Sequence, residues 1–265
     1  MPLSPAILAL YISYLDARKL SHSTITSYLS AIGYVHKMKG LHDPTKAFVI
    51  HKLLTALSRS KSSDVRLPIS KPILNDLVRS LTNTNSSAFQ RNLFSAMFLT
   101  AFYGFFRIGE LAAKSTNSDM VIQYDNLRFL KHDGQIHSVK ITITHFKHNT
   151  ANRPFDIVIA QEDSPALCPV QCMLQYCARR GNHSGPLFCH MDGRPITVSH
   201  FNNVLHRCLL FCGLDTARYK SHSFRIGAAC LAADNGFSDA QIRALGRWKS
   251  DAFKLYIRPP SLQAN

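Results

Sequence analysis

A chain of 265 residues that is 46% apolar and 10% aromatic has the material for one large core or two modest ones, which excludes a disordered polymer. Lysine and arginine outnumber aspartate and glutamate 31 to 16, and the resulting charge of +15 favours polyanionic partners and phosphate contacts. No apolar run approaches the roughly 18 residues that span a bilayer, and residues 1–20 lack the layout of a secretion signal, so the expectation is an intracellular protein without membrane contact.

The first sixty residues read as helical. Leu8, Tyr11, Ile12 and Leu15 recur at helical spacing. Ser21 or Ser23 offers an N-cap for a second helix carrying Ile25, Tyr28, Leu29, Ile32, Val35 and Met38, which Gly40 closes. A third helix is predicted from about Thr45 to Arg59. Residues 58–68 (SRSKSSDVRLP) are polar, charged and aperiodic, which predicts a linker. Helices follow at 71–81, 87–103 and 108–113, then strand-like alternations at 126–130, 137–143 and 154–159 that predict a small antiparallel sheet. Helices return at 168–179, 198–212, 223–235, 239–245 and 251–256. The seven cysteines form no C-x2-C pair, and the spacing of four in 168/172 and 208/212 suits one buried helix face, so they are read as small hydrophobes rather than disulfides or zinc ligands.

Four places hold residues that could carry chemistry. In Ser221-His-Ser-Phe-Arg-Ile-Gly-Ala-Ala229, His222 and Arg225 lie three apart near a predicted helix N-terminus. Free backbone amides there favour a phosphate, a guanidinium adds bidentate bonds, and an imidazole can move a proton near neutral pH. Arg107 follows an almost wholly apolar run, with Glu110 three residues on to orient it. A buried structural Arg–Glu pair is the competing reading. Lys147 sits between two predicted strands, either as a proton donor or as a solvated turn lysine. Trp248 is the only tryptophan, and Tyr256 follows it by eight residues. Indole N–H can hold a phosphate oxygen, and a phenol in cationic surroundings can attack phosphorus, yet either residue could equally be core.

The order of these residues resembles the tyrosine recombinase (phage integrase) family. Phe-Arg-Ile-Gly-Glu-Leu is similar to its first arginine box. Residues 221–229, with Leu245-Gly-Arg-Trp-Lys-Ser-Asp-Ala-Phe-Lys-Leu-Tyr256-Ile-Arg, resemble recombinases of eukaryotic mobile elements such as DIRS-type retrotransposons and Cryptons. The resemblance implies a mainly α fold with a small antiparallel sheet. A SAM-like helical core-binding domain would occupy residues 1–60, a linker 61–67, and a mixed α/β catalytic domain 68–265. It also implies that Arg107 and Arg225 clamp a scissile phosphate, Tyr256 attacks it to form a 3′-phosphotyrosyl link, Lys147 protonates the leaving 5′ oxygen, and His222 assists proton movement. No metal or cofactor is implied. The implied partner is double-stranded DNA, the implied assembly a homotetramer on paired sites, and the implied location the nucleus. The related readings are a DNA-binding protein that keeps the fold without cleavage and a type IB topoisomerase-like enzyme.

Two positions depart from the family pattern. Relatives place His or Trp directly after the glycine, nine residues before the tyrosine; here Arg247 holds that place and Trp248 is its neighbour. Trp248 is the favoured residue for that role, and Arg247 is the alternative. Only nine residues follow Tyr256, where many relatives carry a further helix, so a different assembly, a truncated chain or a remnant of a mobile element is the expectation.

Overall fold

The computed structural model describes residues 2–59, 66–85, 87–115, 121–146, 149 and 153–257. The chain divides into two compact units, Met1–Asp64 and Val65–Asn265.

The first unit contains three α-helices among its described residues: α1 (Pro5–Ala17), α2 (His22–Met38) and α3 (Phe48–Arg59). Serines start two of them. Ser4 Oγ accepts from the Ile7 amide, and Ser21 Oγ accepts from the Thr24 amide, each supplying a partner to an otherwise unmatched N–H. Leu8, Ile12, Leu15, Ile25, Leu29 and Ile50 meet at helical spacing in its core. The single helix expected from Thr45 is instead a 3-10 turn, Pro44–Lys46, followed by extended Ala47 and then α3. Asp43 explains the break, because its carboxylate accepts from both the amide and the hydroxyl of Thr45 and so closes a separate turn.

The second unit is mainly helical around one small sheet. Helix α4 (Lys71–Thr84) and α5 (Ala88–Tyr103) lead to the four-residue α6 (Ile108–Leu111). Helix α5 is buried almost all round, from Leu93 to Phe102, and forms the centre of the main core. Strands β1 (Leu127–His132), β2 (Gln135–Ile143) and β3 (Phe155–Ala160) pair antiparallel in that order. Asp133 and Gly134 make the β1–β2 turn with positive φ at both positions, the conformation a two-residue hairpin needs. Val139, Ile141, Ile143, Ile157 and Ile159 turn one face of the sheet into the core. Helices α7 (Pro169–Arg180), α8 (Val198–Phe211), α9 (His222–Asp234) and α10 (Asp239–Gly246) complete the unit, with a 3-10 turn at Asp251–Leu255. Cys168, Cys172, Cys177 and Cys208 pack in the core, as their spacing predicted.

Three expectations are corrected. Helix α6 stops at Leu111 rather than Ala113, because Ala113 exchanges backbone hydrogen bonds with Ile196 and Val198. The last helix, expected at 251–256, is a 3-10 turn. The linker expected to reach residue 67 ends earlier. Leu67, Pro68 and Ile69 are buried, with Leu67 N–H donating to Arg218 O at 2.9 Å and Ile69 N–H to Ser223 O at 3.0 Å.

Candidate active site

Helix α5 delivers the first arginine. Past Tyr103 the chain turns through Gly104 and Phe105, the latter in the left-handed region at φ 52°. A Cβ on Gly104 would stand 2.4 Å from the Phe106 ring, so only glycine allows this tight reversal. Arg107 then caps α6. Its own amide donates to Glu110 Oε2 at 2.9 Å, and its Nη1 donates to Glu110 Oε1 at 3.3 Å. The guanidinium keeps 25% exposure while the carboxylate keeps 6%. Arg107 is thus anchored on one edge and open on another.

Helix α9 supplies His222 and Arg225. Neither Ser221 nor Ser223 caps it through its side chain. Ser221 is itself in helical conformation, and Ser223 Oγ accepts from Lys220 N–H at 3.0 Å, bracing the turn before the helix. Arg225 is fully buried. Its Nη1 donates to the Phe105 carbonyl and its Nη2 to the Gly246 carbonyl, while Nε has no hydrogen-bond partner among the described residues. Its guanidinium lies over the Trp248 indole at 4.2 Å, a cation–π contact of about 1–2 kcal/mol in a desolvated setting. Burial first, and then the Arg107 and Arg247 charges, push its pKa down, with Glu110 and Tyr256 partly offsetting them. A guanidinium keeps its proton at neutral pH regardless.

Helix α10 ends in Arg247, a non-glycine residue in the left-handed conformation at φ 54°, ψ 41°. That geometry costs roughly 1–2 kcal/mol. Arg247 Nη2 donates to Glu110 Oε2 at 2.9 Å and to Phe105 O at 3.2 Å, and Nη1 donates to Gly104 O at 3.3 Å. Glu110 therefore bridges two arginines 140 residues apart in sequence, and Arg247 is committed to the interior. Trp248, next along, packs among aromatic rings. Its ring lies 5.9 Å from Tyr256, 5.7 Å from Phe253 and 6.1 Å from Phe105. A Cβ on Gly246 would sit 1.6 Å from this indole, so glycine is what lets the tryptophan fold back. Of the two residues left open by the sequence, Trp248 is the one on Arg225 and Tyr256.

Tyr256 closes the cluster. Its ring meets His222 edge-on at 5.2 Å, and its carbonyl accepts from the Cys230 thiol at 3.1 Å. Both rings are half-buried. The His222 pKa is depressed to about 4, first by burial and then by the charges of Arg225, Arg66 and Arg107. A neutral imidazole beside a phenol can accept its proton.

Arg107, His222, Arg225, Trp248 and Tyr256 thus come together. Lys147, in the β2–β3 connection, lies outside the described residues. Sequence reasoning missed Arg66, Cys230 and the second ion pair of Glu110. Arg66 fell inside the supposed linker, although the apolar Leu67-Pro68-Ile69 directly after it signals a chain re-entering a core.

No protein-family model and no curated protein matches the sequence. Solved structures match its fold. The XerH site-specific recombinase, in a post-cleavage complex with palindromic difH substrate, aligns with TM-score 0.67 and 15% identity over 98% of this chain and 68% of its own. A lambda integrase dimer bound to a COC′ core site aligns with TM-score 0.62 and 15% identity over 97% of this chain and 65% of its own. The Tn1549 transposon integrase, in complex with circular intermediate DNA, aligns with TM-score 0.63 and 11% identity over 97% of this chain and 81% of its own. This chain spans about two thirds of the first two. Mainly helical, with one three-stranded antiparallel sheet and nearly its whole length aligned to such structures, the chain has the tyrosine recombinase fold.

Proposed function

We propose that this chain cleaves and rejoins duplex DNA through a 3′-phosphotyrosyl intermediate at Tyr256, in site-specific recombination or integration of a mobile element. The observation that carries the reading is one cluster drawn from three separate stretches of sequence: His222 and Trp248 meet the ring of Tyr256, Arg225 lies over the indole, and the Arg107 charge reaches His222 and Arg225. The neighbours' complexes with DNA and the charge of +15 support duplex DNA as substrate.

In this reading Tyr256 Oη attacks the scissile phosphorus and the 5′ oxygen leaves. The tyrosine's proton passes to neutral His222, and Lys147 returns a proton to the leaving oxygen. The partly exposed Arg107 and the Nε edge of Arg225 neutralise charge growing on the non-bridging oxygens. Attack of a 5′-hydroxyl on the phosphotyrosine reverses each bond change, so the phosphodiester is restored without a nucleotide. Arg225 is fully buried with the Trp248 indole against it, so in this reading the phosphate enters beside the partly exposed Arg107 and the tyrosine moves to meet it. Strand exchange between two duplexes calls for a homo-oligomer, a tetramer on paired sites, acting on nuclear DNA.

The complete burial of Arg225 also suits a second reading, a DNA-binding protein that has kept the fold and lost cleavage. A nicked suicide duplex with a randomised core separates the two. The enzyme reading expects an SDS-resistant protein–DNA adduct from the unmodified chain and none from Tyr256→Phe. DNA binding without any adduct, on the randomised pool and on the DNA flanking the gene itself, would overturn it in favour of the second.

A further inference from the structure

We propose that Asp251 is a positioning residue for Tyr256: paired with Arg243, it fixes onto α10 the turn that carries the tyrosine. A second ion pair, Lys254 with Asp239, holds the same turn from its other end. The inference rests on the DNA-cleavage reading above and gives a role to charges outside the phosphate-facing cluster.

The 3-10 turn Asp251–Leu255 ends directly before Tyr256, whose amide donates to Phe253 O at 2.8 Å. Hydrogen bonds in a 3-10 turn are poorly aligned, so the turn has little stiffness of its own. Phe253 is its one buried residue, in a cluster with Phe105, Ala229 and Ile242. A single buried ring fixes one point of the turn and leaves its direction free. Past the turn, the Cys230 thiol of α9 donates to Tyr256 O at 3.1 Å.

The two ion pairs supply the direction. Arg243 Nη2, from the middle of α10, donates to Asp251 Oδ1 at the start of the turn. Lys254 Nζ, near the end of the turn, reaches Asp239 Oδ2 at the start of α10 at 2.9 Å, and lies 3.7 Å from Asp251 Oδ2. The links cross: the later residue of the helix holds the earlier residue of the turn, and the earlier holds the later. The Arg243 guanidinium also lies 5.7 Å from the Phe253 ring, so the charged and apolar attachments adjoin. Each end of the turn is thereby tied to α10, and the phenol moves from a fixed base.

The four charged side chains are 42–57% exposed, so water screens each pair and it contributes little to global stability. Their effect is local: they set where Tyr256 points, not whether the unit folds. Attack on phosphorus is sensitive to that direction, since a misplacement of about 1 Å can cost about a hundred-fold in rate. Asp251→Asn removes the carboxylate shared by Arg243 and Lys254 and makes the chain more positive. Slower cleavage in that variant therefore cannot come from weaker attraction to DNA.

The test uses the full chain, its Asp251→Asn, Asp251→Glu and Asp239→Asn variants, and the nicked suicide duplex with a randomised core at saturating concentration. Single-turnover adduct formation is timed and thermal unfolding recorded. In the DNA-free protein, NMR compares the Overhauser contact between the His222 and Tyr256 rings, which lie 5.2 Å apart. Asp251→Asn is expected to slow adduct formation by about ten- to a hundred-fold and to weaken the ring contact, with the unfolding midpoint unmoved. Asp239→Asn acts in the same direction, and Asp251→Glu, which keeps the charge, retains most of the rate. An adduct rate in Asp251→Asn equal to that of the unmodified chain overturns the proposal. So does slowing that comes with a lowered unfolding midpoint and an unchanged ring contact, which would make Asp251 a structural residue only. If the unmodified chain forms no adduct, it is the DNA-cleavage reading that falls, and the ring contact in Asp251→Asn then decides whether the ion pair orients Tyr256.

Discussion

Glu110→Ala tests the electrostatic core of the site. The carboxylate is 6% exposed and takes three hydrogen bonds, from Arg107 Nη1 at 3.3 Å, from the Arg107 amide at 2.9 Å and from Arg247 Nη2 at 2.9 Å. Removing it strands Arg247, whose side chain is 2% exposed, and removes the counter-charge that partly offsets the burial of Arg225. Breaking a buried ion pair from one side costs about 3–5 kcal/mol, because the surviving charge stays desolvated. Across a unit of this size that corresponds to a fall in Tm of about 6–20 °C. Trp248 is the chain's only tryptophan and lies on Arg225, so equilibrium urea unfolding followed by its fluorescence reads the affected region directly. Glu110→Leu combined with Arg247→Met removes both charges and is expected to recover part of the loss. A cost below about 1 kcal/mol, the size of an exposed surface pair, would refute the assignment of Glu110 as the buried bridge.

The His222 depression sets a pH dependence of stability. Its folded midpoint near 4 lies below the ordinary value near 6.5, so between these the unfolded chain binds more protons. Stability contributed by neutral His222 is therefore full above about pH 6.5 and is lost as pH falls towards 4. His222→Asn is expected to lose less than the unmodified chain between pH 7 and 5, and parallel urea midpoints would exclude the effect. Trp248→Ala removes the indole from Arg225 and Tyr256, at a cost below the roughly 3–5 kcal/mol of a fully buried tryptophan because the ring is partly exposed. Tyr256 should then nitrate faster with tetranitromethane, while Trp248→Phe falls between; equal nitration rates would show that the indole does not shield it.

Much of this protein is legible along the chain because it rests on local periodicity. Apolar spacing placed the helices to within a few residues, and alternation placed all three strands, since each pattern is written by the face that must be buried. The boundaries that moved were moved by hydrogen bonds to distant backbone: Ala113 by Ile196 and Val198, Leu67 and Ile69 by Arg218 and Ser223. The order of Arg107, His222, Arg225 and Tyr256 was likewise visible, but not what surrounds them. Whether Arg247 or Trp248 meets the tyrosine is decided around one left-handed residue: Arg247 takes Glu110 as its partner, and Trp248 packs on Tyr256. That conformation is tolerated because a carboxylate 137 positions earlier waits for the guanidinium. A sequence pattern reports which faces are apolar; it carries no record of a polar partner brought close by the folding of the whole unit, and that is why the Glu110–Arg247 pair, Arg66 and Cys230 joined the site only in three dimensions.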